Sequence, residues 1–467
     1  VQDHRIPLCV DLDALIRPRL HLEAALALVR AHPLCLFVLL AWLLRGPAFL
    51  RRRLEARAAP NAADLPYETR LLDELRQPAN GRRRILLARW NPAFAAAVAA
   101  HVGGFDDVLV VEAGAGRAEL LQQRFGARGY DYVGRGADDL PAWRLARRAV
   151  VVNAPARVAR QAQAQGNVET VIDPRPARRR AWIRALRPHQ WAKNLLVFVP
   201  VLGAHLLLQP EAMLRAAAAF ACFCLCASGT YVLNDLLDLG ADRQHARKRT
   251  RPFAAGDLPA GGGLAAAALL VAAAFLVATW LSPRFTLVLS GYFAATLVYS
   301  LFLKRIAVID VMTLAALYST RIIGGAVAVP VEASFWLLAF STFLFLSLAM
   351  VKRYTELRGL LDGGHASAAG RGYTVADLPL IESLGTSSGY LSVLVLAFYI
   401  NSTASEALYR HPQVLWALTP AFLYWISRVW FVARRGQMHD DPVVFALTDP
   451  ASYVVAAVLV GVVVVAI

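Results

Sequence analysis

The sequence predicts an all-α polytopic membrane bundle of nine transmembrane helices, preceded by a soluble α/β domain. Three observations predict it. Apolar residues fill 57% of the 467 positions and charged residues only 18%, too apolar a balance for an ordinary soluble enzyme. Composition changes near residue 180: before it, arginines accompany short apolar runs and no lysine occurs. After it, apolar stretches of bilayer-spanning length repeat to the last residue. The length leaves room for more than one domain. The expected division is a soluble domain over 1–173, a basic linker over 174–186 that tethers to anionic lipid, and a membrane domain over 187–467.

In the front domain, IPLCV (6–10) reads as a strand with Asp11 and Asp13 at its end. RRILLA (83–88), DDVLVVE (106–112), YDYVG (130–134) and AVVVN (149–153) read as later strands. The alanine-rich stretches between them suit crossover helices, and parallel sheets carry their sites at strand ends. Residues 34–44, LCLFVLLAWLL, are apolar but too few to cross a bilayer. With arginines at 51–53 behind them, they suit an interfacial helix or equally a cap helix buried in its own domain. Acidic Asp11 and Asp13 stand where the apolar core of a secretory signal would lie. The lack of an initiator Met suggests a start downstream of the natural terminus.

The spans are expected at 192–209, 212–233, 262–281, 285–303, 306–329, 333–351, 388–404, 413–432 and 450–467. Lys and Arg crowd the linker, the 234–256 and 352–371 loops, Lys304-Arg305 and Arg434-Arg435 on one side. The opposite turns carry only Arg215, Arg284 and Arg410. The positive-inside asymmetry puts the front domain and the charged loops in the cytoplasm of a multi-pass protein of the bacterial inner membrane. The net charge of +16 is dispersed over loops rather than gathered on a soluble face, which points to anionic phospholipids and phosphorylated substrates, not nucleic acid. Cys9, Cys35, Cys222, Cys224 and Cys226 have no metal-ligand spacing and read as core residues.

The densest polar stretch, NDLLDLGADRQHARKRTRPFAAG (234–256), lies between two apolar segments. A helix there would present Asn234, Asp235, Asp238 and Asp242 on one broad face. Clustered carboxylates suit a hard divalent metal whose shell phosphate oxygens complete. Arg247, Lys248, Arg249 and Arg251 follow within reach of such an anion. The same side of the membrane receives Lys193 and Asn194 from RPHQWAKN, Tyr299, Lys304 and Asp310 from YSLFLKRIAVIDVM, and Lys352 and Arg353. Arg321 lies inside a span, where a charge lines a bundle interior or pairs structurally, with Asp310 as the expected partner. All four lysines, Lys193, Lys248, Lys304 and Lys352, border this face. Positive-inside topology and convergence on an anion both account for them.

These stretches, together with the loop beginning KRYTELR, resemble the UbiA prenyltransferase superfamily over about 182–467. Within it they look most like decaprenyl-phosphate 5-phosphoribosyltransferase. The resemblance implies a nine-span bundle with a lipid-open cavity and a Mg2+-held diphosphate, Mn2+ serving in its place. The family's NDxxDxxxD pattern is matched by Asn234, Asp235, Asp238 and Asp242, which it makes the metal-binding and catalytic set. Its basic tail is matched by Lys248, Arg249 and Arg251, although Ala246 replaces a usual proline. Asp310 lacks the acidic partner that a second DxxxD cluster gives aromatic prenyltransferases. The implied donor is 5-phosphoribosyl 1-diphosphate and the implied acceptor a polyprenyl phosphate, with the remaining cations holding phosphate oxygens. Two alternatives stay open: prenyl transfer to an aromatic ring, and a non-enzymatic scaffold or transporter. Oligomeric state is not readable.

The front domain resembles the haloacid dehalogenase-like (HAD) phosphatases over most of 6–160, with departures. DLDALI keeps Asp11 and Asp13 of DxDGT but loses Gly-Thr. LLARWN offers Ala88 and Arg89 in place of the hydroxyl residue, and Arg117 is the nearest substitute for the family's lysine. GRGADD puts Arg135 at the first acidic position, leaving Asp138 and Asp139. A cation there opposes Mg2+, so a catalytically degenerate site is expected, with Asp11 pairing to Arg135. Deleting residues 1–180 is accordingly expected to spare the chemical step.

Overall fold

The computed structural model describes residues 6–467 except 19, 58–59, 78–81, 112–115, 173–177, 246, 363–371, 439–440 and 447. The chain forms two compact units. The first is Val1–Leu186 with Tyr231–Ala267, and the second is Arg187–Thr230 with Ala268–Ile467. The acidic 234–256 segment therefore belongs to the first unit, by itself a departure from a simple division near residue 180.

The first unit is built on a six-stranded, wholly parallel sheet: β1 (Leu8–Asp11), β2 (Arg84–Ala88), β3 (Asp107–Val110), β4 (Asp131–Gly134), β5 (Ala149–Val152) and β6 (Val168–Ile172). Their order is β3-β2-β1-β4-β5-β6. The five expected strands all form. The sixth, VETVI, was missed because its alternation is that of a mostly exposed edge. Apolar side chains cover both faces. Leu15, Leu71 and Phe94 lie in one core, and Tyr130, Trp143 and Val151 in the other. The order reverses direction between β1 and β4, so a crevice opens at their carboxyl ends, where Asp11 stands.

A third apolar cluster in this unit joins Leu26 of the helix Leu20–Ala31 and Ala181 and Ala185 of the helix Arg178–Leu186 to Val232, Leu236, Phe253, Leu258 and Ala260. Gly263 is needed at this contact, since a Cβ there would come within 2.6 Å of the Phe253 ring.

The protein is a multi-pass membrane protein: among the described residues seven helices are long and apolar enough to cross a bilayer. They are Pro210–Leu237, Ala260–Leu281, Pro283–Leu301, Ile309–Ala328, Phe335–Asp362, Val375–Ile400 and Pro412–Arg434. Seven of the nine expected spans thus appear as long helices. The expected first span does not. Residues Pro188–Phe198 form a 3-10 stretch, followed by the short helix Val199–Gly203. Pro188 and Pro200 supply no amide for an α-helical ladder, and Lys193 and Asn194 are buried in the stretch. The last expected span is the 17-residue helix Pro450–Ala466, at the lower limit of spanning length.

Candidate functional site

The acidic segment follows from one helix. Pro210–Leu237 ends just before Asp238, whose φ of −96° and ψ of 12° interrupt the helix, and Leu239–Gln244 resumes it. The amides of Asp238 and Asp242 still donate to the carbonyls four residues back, at 2.9 and 2.8 Å. The expected single helix is therefore broken at its centre while keeping its winding. Asp235 and Asp242 are buried, Asn234 and Asp238 half-buried. Arg251 Nη1 donates to Asp235 Oδ1 at 3.1 Å and to Asp242 Oδ2 at 2.7 Å, so these two carboxylates converge on one cation. Asp238 is drawn elsewhere: its Oδ1 lies 2.8 Å from Arg30 Nε. Lys248 and Arg249 are exposed.

Among the described residues no three His, Cys, Asp or Glu side chains are gathered as a ready metal site. The convergence of Asp235 and Asp242 nevertheless fits a small hard cation, because two carboxylate oxygens already meet on a positive group. Arg251 is the group that such an ion would displace, and its guanidinium would then be free to take phosphate oxygens.

Two residues that the sequence did not single out support this segment. Glu23 accepts from both Arg243 Nη1 and Nη2 at 2.8 Å, and Arg243 Nε donates to the Ala254 carbonyl at 3.1 Å. Glu23 and Arg30 both lie on the helix Leu20–Ala31, so the front domain itself holds the acidic segment. The spacing of Glu23 and Arg30, two turns apart on one face, was the available signal.

In the second unit the expected cations fall into three networks. Lys193, on the buried 3-10 stretch, pairs with Asp441, and Lys352 Nζ lies 3.9 Å from the same carboxylate. Burial raises the Asp441 carboxyl, but the two lysines outweigh it and hold it below the ordinary range. Asp441 also accepts from the Val443 amide at 3.1 Å, which fixes it at the start of Pro442–Ala446. The sequence offered no sign of Asp441, since its partners are distant in the chain. Asp310 is fully buried, 2.6 Å from Arg353 Nε and 2.8 Å from the Tyr299 hydroxyl, with Glu356 on the other side of Arg353. Two residues earlier, Val308 has φ 67°, a strained backbone for a β-branched residue. Its amide donates to Tyr373 Oη at 2.7 Å. Lys304 is half-buried in the turn Leu303–Arg305.

Of the two readings of Arg321, the pair with Asp310 does not form. Its Nε donates to Asn194 Oδ1 at 2.7 Å and its Nη2 to Tyr292 Oη at 2.9 Å, with the guanidinium 4.8 Å from the Tyr292 ring centre. A buried charge inside a span is thus satisfied by neutral acceptors and an aromatic face.

The crevice of the parallel sheet holds a different cluster. Asp11 does not pair with Arg135. Arg117 takes that place, its Nε 2.6 Å from Asp11, its Nη1 2.8 Å from Asp139 and its Nη2 3.5 Å from Asp13. Tyr132 Oη lies 3.1 Å from Asp11 Oδ2 and 2.8 Å from Asp139 Oδ1. Arg135 Nη1 instead donates to the Ile16 carbonyl at 2.7 Å. Asp138 is exposed beside Arg89. Burial, reinforced by the Asp139 carboxylate, pushes Asp11 above the usual carboxylate range against the pull of Arg117.

Residues 197–449 match the UbiA prenyltransferase family. The chain is 33% identical to the uncharacterized protein y4nM of Sinorhizobium fredii over 98% of this chain and 90% of that one. It is 36% identical to decaprenyl-phosphate phosphoribosyltransferase of Mycolicibacterium smegmatis over 38% of this chain and 57% of that one. A solved UbiA homologue from Archaeoglobus fulgidus, bound to GPP and Mg2+, aligns with 60% of this chain and 99% of its own at 14% identity and a TM-score of 0.48. With more than half of its length matched, the chain belongs to the UbiA prenyltransferase family.

Proposed function

We propose that the protein transfers the 5-phosphoribosyl group of 5-phosphoribosyl 1-diphosphate to a polyprenyl phosphate of decaprenyl type, releasing diphosphate. The observation that carries this reading is Asp310. Where aromatic prenyltransferases offer a second carboxylate cluster, this carboxylate is fully buried and committed to Arg353 and Tyr299. The relative named decaprenyl-phosphate phosphoribosyltransferase supports the same reading.

Asn234, Asp235, Asp238 and Asp242 would hold Mg2+, or Mn2+ in its place, as the metal that accompanies a bound diphosphate in the Archaeoglobus homologue. When bound, that ion neutralises the diphosphate and eases its departure. An oxygen of the lipid phosphate attacks C1 of the ribose. The C1–O bond to diphosphate breaks, its electron pair leaves with the diphosphate, and the anomeric centre inverts. The attacking phosphate is already anionic, so no side chain needs to remove a proton. Arg251, with Lys248 and Arg249, takes the charge that builds on the departing oxygens. In the second unit Lys193 and Lys352, held together by Asp441, are suited to a phosphate oxygen, as is Lys304. Orientation of the acceptor at C1 supplies the rest of the rate.

We read residues 1–173 as a HAD-like scaffold without turnover, 174–186 as its linker and 187–467 as the transferase domain. The charged loops then face the cytoplasm of a bacterial inner membrane. Membranes containing the protein, supplied with ribose-labelled donor and Mg2+, should yield labelled lipid in an organic extract. Label entering instead from a polyprenyl diphosphate into an aromatic acid would establish the aromatic prenyltransferase reading.

A further inference from the structure

The hairpin formed by the helices Cys35–Leu44 and Pro47–Arg57 serves neither the sheet crevice nor the acidic segment. Gly46, with φ of 107°, makes its turn in a conformation that only glycine adopts freely. Cys35–Leu44 is apolar on every side, yet none of its residues is buried. Leu34, Phe37 and Leu44 are 75, 68 and 90% exposed, and Leu36, Leu40 and Leu43 are about half exposed. A helix that is apolar all round belongs inside a core or inside lipid, and here only Leu39 and Trp42 meet a core while the rest of the apolar surface is open. Its length of about 15 Å at 1.5 Å per residue is half the hydrocarbon thickness, so it can lie in a bilayer surface but cannot cross.

Three further observations identify the surface. Arg45, Arg51, Arg52 and Arg53 are exposed beside the apolar residues, and Arg45 and Arg53 both sit over the Phe49 ring, at 5.5 and 5.2 Å. This places cations beside an apolar wedge, as an anionic headgroup layer requires. The preceding helix Leu20–Ala31 puts Leu26 in one cluster with Val232, Leu236 and Ala260, at the ends of two membrane-spanning helices, and with Leu258 just before the second. Its Arg30 pairs with Asp238, the residue after the spanning helix Pro210–Leu237. The hairpin thus begins five residues after Arg30, which pairs at the end of a spanning helix. Leu54 is buried, and Leu39, Trp42 and Leu50 pack on the sheet core, which holds the wedge rigidly to the front domain.

We propose that this hairpin is a monotopic anchor that inserts into the acyl–headgroup boundary of an anionic bilayer, fastening the front domain to the membrane independently of the spanning helices. The test uses full-length protein in vesicles of three parts phosphatidylethanolamine to one part phosphatidylglycerol. In a Cys35→Ser background, nitroxide labels are placed one at a time by Phe37→Cys, Leu40→Cys and Leu44→Cys. Gln122→Cys is the control, exposed on the helix Arg117–Phe125 against the other face of the sheet. Collisions with dissolved oxygen should exceed those with a water-soluble nickel chelate at 37, 40 and 44, and the order should reverse at 122. Nickel access at all three positions equal to that at 122 would overturn the proposal. So would shielding from both reagents, which would mean that protein, such as a second copy, covers the helix. The variant carrying Arg51→Gln, Arg52→Gln and Arg53→Gln should lose part of the oxygen preference. Labels unmoved by these changes would refute the role assigned to the headgroups.

Discussion

Arg117 and Arg251 each sit between aspartates of the first unit, and they differ in their access to water. The Arg117 side chain is 6% exposed and touches Asp11, Asp13 and Asp139. The Arg251 side chain is 30% exposed and lies on a loop above Asp235 and Asp242, both nearly buried. A guanidinium sealed on all sides cannot leave without stranding buried charges, so the first cluster is a closed structural knot. A guanidinium reached by solvent can exchange its partners for a metal and a phosphate, which is the use we propose for the second. Similar residue chemistry thus differs in the exposure of its central cation, 6% at Arg117 and 30% at Arg251.

The sharpest way to break this comparison is to remove carboxylates at Arg251. Asp235→Asn and Asp242→Asn should each lower transfer by about 100-fold or more, the scale expected when a charge-stabilising group is lost, with folding and membrane insertion retained. Near-normal turnover at limiting Mg2+ would end the metal assignment. Arg117→Met should act in the opposite sense, on stability and not on chemistry. Leaving Asp11 and Asp139 buried without their cation should cost about 3–5 kcal/mol, read as a lower unfolding transition of the front unit. No phosphate release from a synthetic phosphoribosyl-lipid should be seen with either protein. Mg2+-dependent release that vanishes in Asp11→Asn would mean that the knot opens and catalyses.

Glu23→Gln falls between the two clusters. It removes the charge from a bidentate pair with Arg243 that is nearly sealed from water, and should lower both the stability of the first unit and the rate of transfer. Deletion of residues 1–180 should therefore impair transfer, because Glu23 and Arg30 leave with it. The sequence alone had suggested that the chemical step would be spared. The smallest effect concerns pH. Burial raises the Asp11 carboxyl in the folded chain, so the stability tied to its proton is full below about pH 4 and is lost as pH rises through the folded value. Thermal unfolding of Asp11→Asn should accordingly gain on the parent protein as pH increases. A constant difference between them would show Asp11 ionised throughout.

Legibility in the sequence followed the range of the interactions. Alternating and continuous apolar runs revealed five strands and seven long spans, because those patterns are local. The 192–209 stretch has the composition of a span, but it starts within a 3-10 stretch that buries Lys193 and Asn194 and passes at Pro200 into the short helix Val199–Gly203. The acidic cluster was legible as a motif, and its partners were not. Arg30, Glu23 and Asp441 reach their contacts across long separations in the chain: the two-turn spacing of Glu23 and Arg30 marks a shared helix face but not its partners, and nothing local marks Asp441. The sequence marks Arg117 only as the nearest substitute for the lysine of the resembled family, and the folded sheet shows that it, rather than Arg135, takes Asp11.

The first unit is discontinuous, with Tyr231–Ala267 packed among residues that precede Leu186. This imposes an order on biosynthesis. At about 5–20 residues per second, the front domain leaves the ribosome several seconds before the helices that carry Val232, Leu236 and Ala260. During that interval Leu26, Ala181 and Ala185 lack their apolar cover, and Glu23 lacks Arg243. The sheet can form early, but the unit closes only after two hydrophobic segments have entered the bilayer. Chains stalled between residues 186 and 231 should be protease-sensitive at the helix Leu20–Ala31, and completion of insertion should protect it.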